Sequence, residues 1–272
     1  MKAIVKTMIC PLHTKPDAHS ELADEALYGM VVELLERAGA DWYKVRTHYR
    51  YEGYAPAACL LLGDSTADAW LALPKRVVLH KNTCDVMFSP KVQSWPLITL
   101  TRGAVVSPVG APEEGWQKVT LCDGLQGYTR SSFLGEYYEK PPVEEEAALR
   151  ALIVSNARRY EGTHYRWGGK TPLGIDCSGL VSMAYLLSGI AIYRDAHIME
   201  GFPIRSIPLE QAGPGDLLFF PGHVAMYTGG GQYIHSTGAA GSDGFTHNSL
   251  DPQAPDFRAD LKEKLTDVGS YF

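Results

Sequence analysis

The chain of 272 residues is long enough for two or three domains, and its 45% of hydrophobic and 21% of charged residues are ordinary for a globular protein. The formal net charge is −6 at pH 7, and no cluster of Lys and Arg is long enough to follow a phosphate backbone. These features argue against nucleic acid as a partner.

The start of the chain and its cysteines suggest a compartment. In MKAIVKTMICPLH, Lys6 interrupts the apolar run before it reaches the roughly seven residues of a secretory signal, and no later stretch could span a bilayer. The cysteines are odd in number and lack the close spacing of a structural zinc site: Cys10, Cys59, Cys84, Cys122 and Cys177. We therefore expect a cytoplasmic chain with free thiols and no membrane partner.

The first half contains a weak internal repeat. At an offset of 74 residues, the matching positions are Gly29, Val31, Val32, Trp42, Val45, Gly53, Tyr54 and Leu60 against Gly103, Val105, Val106, Trp116, Val119, Gly127, Tyr128 and Leu134. Short alternating apolar runs separated by Gly, Asp or Pro are typical of small antiparallel barrels. The repeat predicts two such barrels, over residues 1–63 and 64–139.

The residue pattern of the sequence changes after the second copy. Lys140 and two prolines lead into three glutamates at 144–146, which is the pattern of a linker followed by a helix start. We expect a third domain over 140–272, with a helix over about 144–160, a glycine-rich loop, a second helix from Cys177 to about Ser188, and then strands. Gly189 is placed to end the second helix.

Cys177 lies at a predicted helix start, a position that favours a reactive thiol. Asp176 before it is a good N-cap residue, and the apolar residues that follow recur at helical spacing: Leu180, Val181, Ala184 and Leu187. A thiol in the first turn of a helix faces orphan N–H groups and the positive end of the macrodipole, which lower its pKa. This position predicts a reactive thiolate, although a small buried thiol would fit the same pattern.

Two histidines could serve such a thiolate. In GHVAMYTGGGQYIHST, His223 opens one alternating strand and His235 closes the next, with a glycine turn between them. A turn centred near residue 229 or 230 puts the two imidazoles either directly opposite or one diagonal apart, roughly 5–8 Å between Cβ atoms. This arrangement predicts a cysteine hydrolase with Cys177 as nucleophile, His223 as base and His235 as the residue that orients it. A catalytic zinc held by the same three residues is the alternative.

Several motifs of the third domain resemble one family. They are YRWGG at 165–169, GIDCSGLV at 174–181, PGDLLFF at 214–220, GHVAMYTG at 222–229 and YIHST at 233–237. From about residue 145 onward the chain resembles the NlpC-type bacterial cell-wall cysteine peptidases, whose catalytic domain is papain-like. The two repeats resemble the bacterial SH3-like barrels that accompany this domain. The resemblance implies an α+β fold, a papain-like catalytic domain preceded by two small SH3-like β-barrels.

The resemblance also implies a reaction. It assigns the same roles to Cys177, His223 and His235, and it requires no cofactor and no metal. The chain is most similar in organisation to a subgroup that cuts the bond from the γ-carboxyl of D-glutamate to the following diamino acid, L-lysine or meso-diaminopimelate. That subgroup takes murein peptides with a free N-terminal L-alanine, so we expect a role in recycling cell-wall peptides.

Substrate-binding residues follow from the same resemblance. Asp176, with Ser178 beside it, matches the group that meets the free amine, and it keeps its second interpretation as a helix cap. Tyr165 and Trp167 match aromatic residues of the cleft, with packing of the glycine-rich loop as the alternative. Arg194, Asp195 and Ala196 match a substrate-contacting stretch, in which Ala196 stands where a hydroxyl is common.

The first barrel is expected to close the alanine end of the cleft with a Glu and a Tyr. Glu21 and Tyr51 are the candidates, since in the second copy they align with Trp95 and Leu125 and the barrel therefore does not demand them. Glu25 and Tyr54 stay open as alternatives.

The remaining histidines and cysteines receive structural roles. His164, His197 and His247 are expected in loops or at the surface, and Cys59 and Cys122 within barrel strands without a positioned base. Two rival functions differ in class. One is a binding module with a degenerate catalytic domain, which reaction with iodoacetamide would distinguish from an enzyme. The other is an acyltransferase or amidase on a lipid or small-amide substrate; a lipid substrate would need an apolar entrance or membrane-facing segment, and the sequence shows none.

Overall fold

A computed structural model describes residues 1–272, and the chain divides into two compact units, Met1–Tyr137 and Tyr138–Phe272. The first unit holds the two repeats and the second holds the helices and strands of the third predicted domain. Every strand pair of the three large sheets is antiparallel.

The first repeat is a seven-stranded barrel sheet. Its strands are β1 (Lys2–Val5), β2 (Ile9–His13), β3 (Leu22–Leu27), β4 (Val31–Arg37), β5 (Trp42–Thr47), β6 (Glu52–Pro56) and β7 (Leu60–Leu62), with a 3₁₀ turn at Ala57–Cys59. They follow the spatial order β3-β2-β6-β5-β4-β1-β7. Alternation of buried and exposed residues, clearest along β4 and β6, places one face of each strand in the core.

The second repeat copies this plan. After helix α1 (Asp64–Ala72) come β8 (Arg76–Val78), β9 (Thr83–Met87), β10 (Pro96–Thr101), β11 (Val105–Glu113), β12 (Trp116–Thr120), β13 (Gln126–Arg130) and β14 (Leu134–Glu136), with a 3₁₀ turn at Ser131–Phe133. The spatial order β10-β9-β13-β12-β11-β8-β14 is the first order with every number raised by seven. Trp42 and Trp116 begin equivalent strands, so the internal repeat is confirmed.

The two barrels share one hydrophobic core. Ile4 and Tyr28 of the first copy pack with Val78, Val105 and Leu121 of the second. The backbone approach is close at Gly29, where φ is +81° and a Cβ would lie 2.4 Å from the carbonyl oxygen of Val105. The predicted domain boundary after residue 63 falls where α1 begins and stays a prediction, because this core is continuous across it.

The second unit sets helices against a six-stranded sheet. Its elements are α2 (Glu146–Arg158), β15 (Lys170–Thr171), β16 (Gly174–Ile175), α3 (Cys177–Leu186), β17 (Arg205–Ser206), a 3₁₀ turn at Leu209–Gln211, β18 (Leu217–Phe220), β19 (His223–Gly229), β20 (Gln232–Thr237), β21 (Gly244–Ser249), α4 (Ala259–Lys262) and β22 (Asp267–Ser270). The sheet order is β17-β22-β18-β19-β20-β21. The predicted α+β class is confirmed.

Both predicted helices are present near their expected bounds. Helix α2 begins after Glu145, whose carboxylate accepts the backbone N–H groups of Ala147 and Ala148. Helix α3 is buried along almost its whole length because it packs on α2 on one side and on β19 and β20 on the other. Gly189, with φ of +79°, follows its end. No helix in residues 1–272 combines the length and the apolar character needed to cross a bilayer.

All five cysteines are free thiols. The prediction that Cys59 and Cys122 lie within strands is wrong. Cys59 closes the 3₁₀ turn Ala57–Cys59, and Cys122 lies in the turn after β12, where its N–H donates to the Tyr28 hydroxyl at 2.9 Å. Cys59 directly precedes β7 and Cys122 follows β12, so each residue lies in a turn just outside an apolar strand.

Candidate active site

Cys177 is the first residue of α3, and Asp176 caps the helix. One carboxylate oxygen of Asp176 accepts the N–H of Gly179 at 2.5 Å, which satisfies an orphan donor of the first turn. The Cys177 sulfur accepts the backbone N–H groups of Val224 and Ser178. Since Val224 follows His223 in β19, the helix start and the histidine strand meet at the sulfur.

The thiol itself differs from the expectation. Burial raises the pKa of Cys177 to about 11, and the neighbouring Asp176 carboxylate adds to the rise. Cys177 is only 6% exposed, so the loss of hydration of a thiolate outweighs the favourable helix start and the two backbone N–H groups. The prediction of a lowered pKa is therefore wrong, and the resting cysteine is a thiol.

The two histidines lie on one face of the β19–β20 hairpin. Met226 pairs with Ile234 and Tyr227 with Tyr233, so the register sets His223 one diagonal away from His235. His223 follows the two-residue turn Pro221-Gly222, in which Gly222 has φ of +68°. His223 Nε2 lies 2.7 Å from His235 Nδ1, so the two rings share a hydrogen bond.

Both imidazoles are neutral at ordinary pH. Burial lowers the pKa of His223 to about 3, with a further contribution from His235. Burial also lowers the pKa of His235 to about 4, and its hydrogen bond to the Asn248 amide oxygen opposes this fall. His223 is therefore ready to accept a proton. The sequence motifs did not single out Asn248, whose Oδ1 lies 2.8 Å from His235 Nε2.

Asp176 belongs to a buried ionic cluster. Arg194, 1% exposed, reaches both carboxylate oxygens at 3.1 Å and lies 2.6 Å from the Ser178 hydroxyl. The N–H of Gly168 donates to the same carboxylate at 2.8 Å. The charge of Asp176 is thus balanced within the protein. Sequence reasoning matched the stretch around Arg194 but did not assign this arginine a role.

The two predicted aromatic residues differ in setting. Tyr165 is half-buried and bridges to Ile175, and burial raises the pKa of its hydroxyl, as do the charges of Cys177 and Asp176. Trp167 is 59% exposed in the glycine-rich loop, so its indole has little packing to supply there. Its role in binding substrate stays a prediction.

Asp195 and Ala196 lie half-buried in the loop after α3, and Asp195 is hydrogen-bonded to the Tyr193 hydroxyl. Asp195 lines a small apolar pocket together with Val224, whose N–H meets the Cys177 sulfur.

The first-barrel candidates are on or near β3 and β6. Glu21 is exposed just before β3, and Tyr51 is half-buried just before β6, with its N–H bonded to the Thr47 hydroxyl at 3.0 Å. The alternatives are Glu25, buried on β3, and Tyr54, half-buried on β6. All four stay predictions.

The other three histidines of the second unit, His164, His197 and His247, are exposed, as expected. In the first unit Asp24, which sequence reasoning did not single out, is fully buried and accepts the Tyr49 hydroxyl at 2.5 Å. The two residues are 25 positions apart, so no local pattern signals the pair.

Comparison with known proteins places the chain among the cysteine peptidases, a class of hydrolases. Residues 162–251 match the NlpC/P60 family, and residues 12–60 match the bacterial dipeptidyl-peptidase SH3 domain. Dipeptidyl-peptidase 6 of Lysinibacillus sphaericus is 45% identical over 275 residues, which is 100% of both chains. The chain therefore belongs to the NlpC/P60 family.

Two further similarities are informative. The γ-D-glutamyl-L-lysine dipeptidyl-peptidase of Bacillus subtilis (strain 168) is 32% identical over 139 residues, 48% of this chain and 44% of that protein. The crystal structure of an NlpC/P60 family protein from Bacillus cereus ATCC 10987 covers 100% of this chain and 99% of its own, with a TM-score of 0.80 at 21% identity. This last similarity bears on the fold alone.

Proposed function

We propose that the protein is an endopeptidase that hydrolyses the γ-D-glutamyl bond to the following L-lysine or meso-diaminopimelate in murein peptides with a free N-terminal L-alanine. The observation that carries the proposal is the similarity over the full chain to dipeptidyl-peptidase 6. The similarity to the γ-D-glutamyl-L-lysine dipeptidyl-peptidase of Bacillus subtilis supports the same bond. We further propose a role in recycling these peptides in the cytoplasm.

The proposed chemistry starts from a neutral pair. Because the thiol pKa is raised and the His223 pKa is lowered, proton transfer from Cys177 to His223 accompanies attack of the sulfur on the γ-carbonyl carbon. A carbon–sulfur bond forms and an oxyanion develops. Orphan backbone N–H groups at the start of α3, including that of Cys177, are the candidates to stabilise it.

Collapse of this intermediate breaks the carbon–nitrogen bond. His223, now protonated, gives its proton to the leaving amine of the diamino acid. Water then attacks the thioester while His223 accepts a proton from it, and the thiol is restored as L-Ala-D-Glu leaves. His235 orients His223 through both halves of the cycle, supported by the 2.7 Å contact between the rings.

Recognition of the substrate ends is the second part of the proposal. The alanine ammonium is assigned to Asp176 and Ser178. Since Arg194 already balances the Asp176 charge, we propose that a further acid is needed, Glu21 or Glu25 from the first barrel, together with Tyr51 or Tyr54. Trp167 and Tyr165 are assigned to the cleft wall.

The diamino acid is assigned to the segment around Asp195, whose carboxylate supplies a partner for a distal ammonium. Ala196 supplies no side-chain hydrogen bond, so the proposal gives it only a packing role.

The test is incubation with free L-Ala-γ-D-Glu-L-Lys and with its diaminopimelate analogue, followed by mass spectrometry. We expect L-Ala-D-Glu and the free diamino acid, no product with Cys177→Ala, and strongly reduced cleavage when the alanine amine is acetylated. Intact peptides, or cleavage at another bond, would overturn the assigned substrate. Equal cleavage of the acetylated peptide would remove the role given to Asp176.

A further inference from the structure

Three polar side chains form a row across three neighbouring strands. His223 on β19, His235 on β20 and Asn248 on β21 lie on one sheet face, each one diagonal from the next. His223 Nε2 lies 2.7 Å from His235 Nδ1, and His235 Nε2 lies 2.8 Å from Asn248 Oδ1. The row ends at the backbone carbonyl of Asp256, 2.6 Å from Asn248 Nδ2.

That carbonyl determines the direction of every hydrogen bond in the row. A carbonyl oxygen only accepts, so the Asn248 atom that faces it must be the amide nitrogen, and the amide oxygen must face His235. An amide oxygen also only accepts, so His235 carries its proton on Nε2. Its Nδ1 is then a lone pair, which receives the Nε2 proton of His223.

The position of the His223 proton decides whether His223 can accept the proton of Cys177. With its proton on Nε2, neutral His223 has a lone pair on Nδ1, the one ring nitrogen not used by His235. If His235 instead carried its proton on Nδ1, it would donate to His223 and force the His223 proton onto Nδ1. His223 could then not accept the proton of Cys177.

We propose that Asn248 is a positioning residue that fixes the tautomers of both histidines, anchored by the carbonyl of Asp256. Asn248 and His235 are buried, so no solvent competes for these bonds. The inference rests on the proposed roles of Cys177 and His223, and it deepens them by naming the group that makes His223 a base.

Two variants separate a tautomer role from a merely structural one. Asn248→Leu keeps the shape but removes the acceptor, and should lower kcat roughly 10- to 100-fold with KM within about twofold. Asn248→Asp keeps an acceptor for the His235 Nε2 proton but loses the donor to Asp256, and should retain kcat within about tenfold. Anchoring of the Asp256 segment alone would give the opposite ranking, because the carboxylate would face the carbonyl.

The matched control is His247→Gln, an exposed neighbour on the same strand, which should leave kcat unchanged. Thermal melting establishes that each variant is folded. Asn248→Leu with unchanged kcat, or Asn248→Asp impaired more than Asn248→Leu, would overturn the proposal.

A direct measurement needs no variant and no substrate. Long-range ¹H–¹⁵N spectra of the wild-type protein distinguish protonated from unprotonated ring nitrogens, and we expect both His223 and His235 to be protonated on Nε2. A His235 proton on Nδ1 would overturn the proposal even in an active enzyme. If the expected tautomers are found and no murein peptide is cut, the proposed function fails while this inference stands.

Discussion

The two units use buried polar side chains differently. In the barrel unit, buried groups at the junction of the two copies bond to the backbone: the Trp70 indole donates to the Gly29 carbonyl at 2.8 Å, and the Tyr28 hydroxyl accepts the N–H of Cys122. In the catalytic unit, the buried groups of the candidate site bond to one another, as in the histidine pair and in Asp176 with Arg194. The first set joins elements of the fold, whereas the second set holds titratable side chains in a fixed arrangement.

The sharpest contrast is at the nucleophile. Cys177→Ala removes the attacking atom but little packing volume, so we expect turnover to fall at least about 10⁴-fold and the free energy of unfolding to change by less than about 1 kcal/mol. Peptide cleavage and urea denaturation of the same samples check both. Readily measured turnover would show that another nucleophile acts.

The buried ion pair should give the largest effect on stability. Arg194→Met leaves the Asp176 carboxylate buried without its partner, and should lower the free energy of unfolding by about 3–5 kcal/mol. Adding Asp176→Asn, which keeps a capping side chain, should recover part of the loss. Urea denaturation measures both, and a double variant no more stable than the single one would contradict the pairing.

Removal of the Trp70 indole N–H should lower the stability of the barrel unit. No second substitution can restore this stability, because the bonding partner of Trp70 is the main-chain carbonyl of Gly29. Trp70→Phe leaves the Gly29 carbonyl without its donor and should cost about 1–3 kcal/mol, with kcat unchanged. Trp95, 60% exposed in the second barrel, provides the matched control: Trp95→Phe should stay within about 0.5 kcal/mol. A substantial fall in kcat for Trp70→Phe would contradict the expectation that this bond affects only the stability of the barrel unit.

The histidine pair makes the catalytic unit sensitive to acid. Both pKa values are lowered by burial, to about 3 and about 4, so between pH 6.5 and those values the unfolded chain binds more protons than the folded one. Stability is therefore full above pH 6.5 and falls as the pH drops. Each histidine should contribute about 1 kcal/mol of loss between pH 7 and 5.5.

Comparing the wild type with His235→Gln isolates this contribution, because the other titrating groups cancel. Urea denaturation at a series of pH values should give a shallower acid fall in the variant. Parallel curves would mean that His235 has the same pKa in the folded and the unfolded chain.

The smallest signal concerns the thiols. Cys59, in the barrel unit, has its pKa lowered to about 6 by a hydrogen bond from Cys10, whereas the pKa of Cys177 is raised to about 11. Thiolate absorbance at 240 nm that appears between pH 5 and 8 should therefore vanish in Cys59→Ser and persist in Cys177→Ala. The reverse result would restore a resting thiolate at Cys177. Alkylation experiments on Cys177 need the Cys59→Ser background.

Local patterns account for what the sequence predicts well. The offset of 74 residues locates equivalent strands because each copy carries its own turns, and the hairpin register follows from the spacing of His223 and His235 around their glycines. Arg194 and Asn248 were missed because their partners lie 18 and 13 residues away and meet them only in the folded chain. The thiol pKa was misjudged because a helix start is readable in a sequence and burial is not.

The shared core of the barrels limits the modularity of the chain. The two copies are not interchangeable. Tyr28 and Trp70 pack into the shared core, at a face that an independent barrel would expose to solvent. Neither copy can be excised, swapped or expressed alone without exposing that apolar face. The two copies therefore fold as one compact unit over residues 1–137, although each copy has its own sheet.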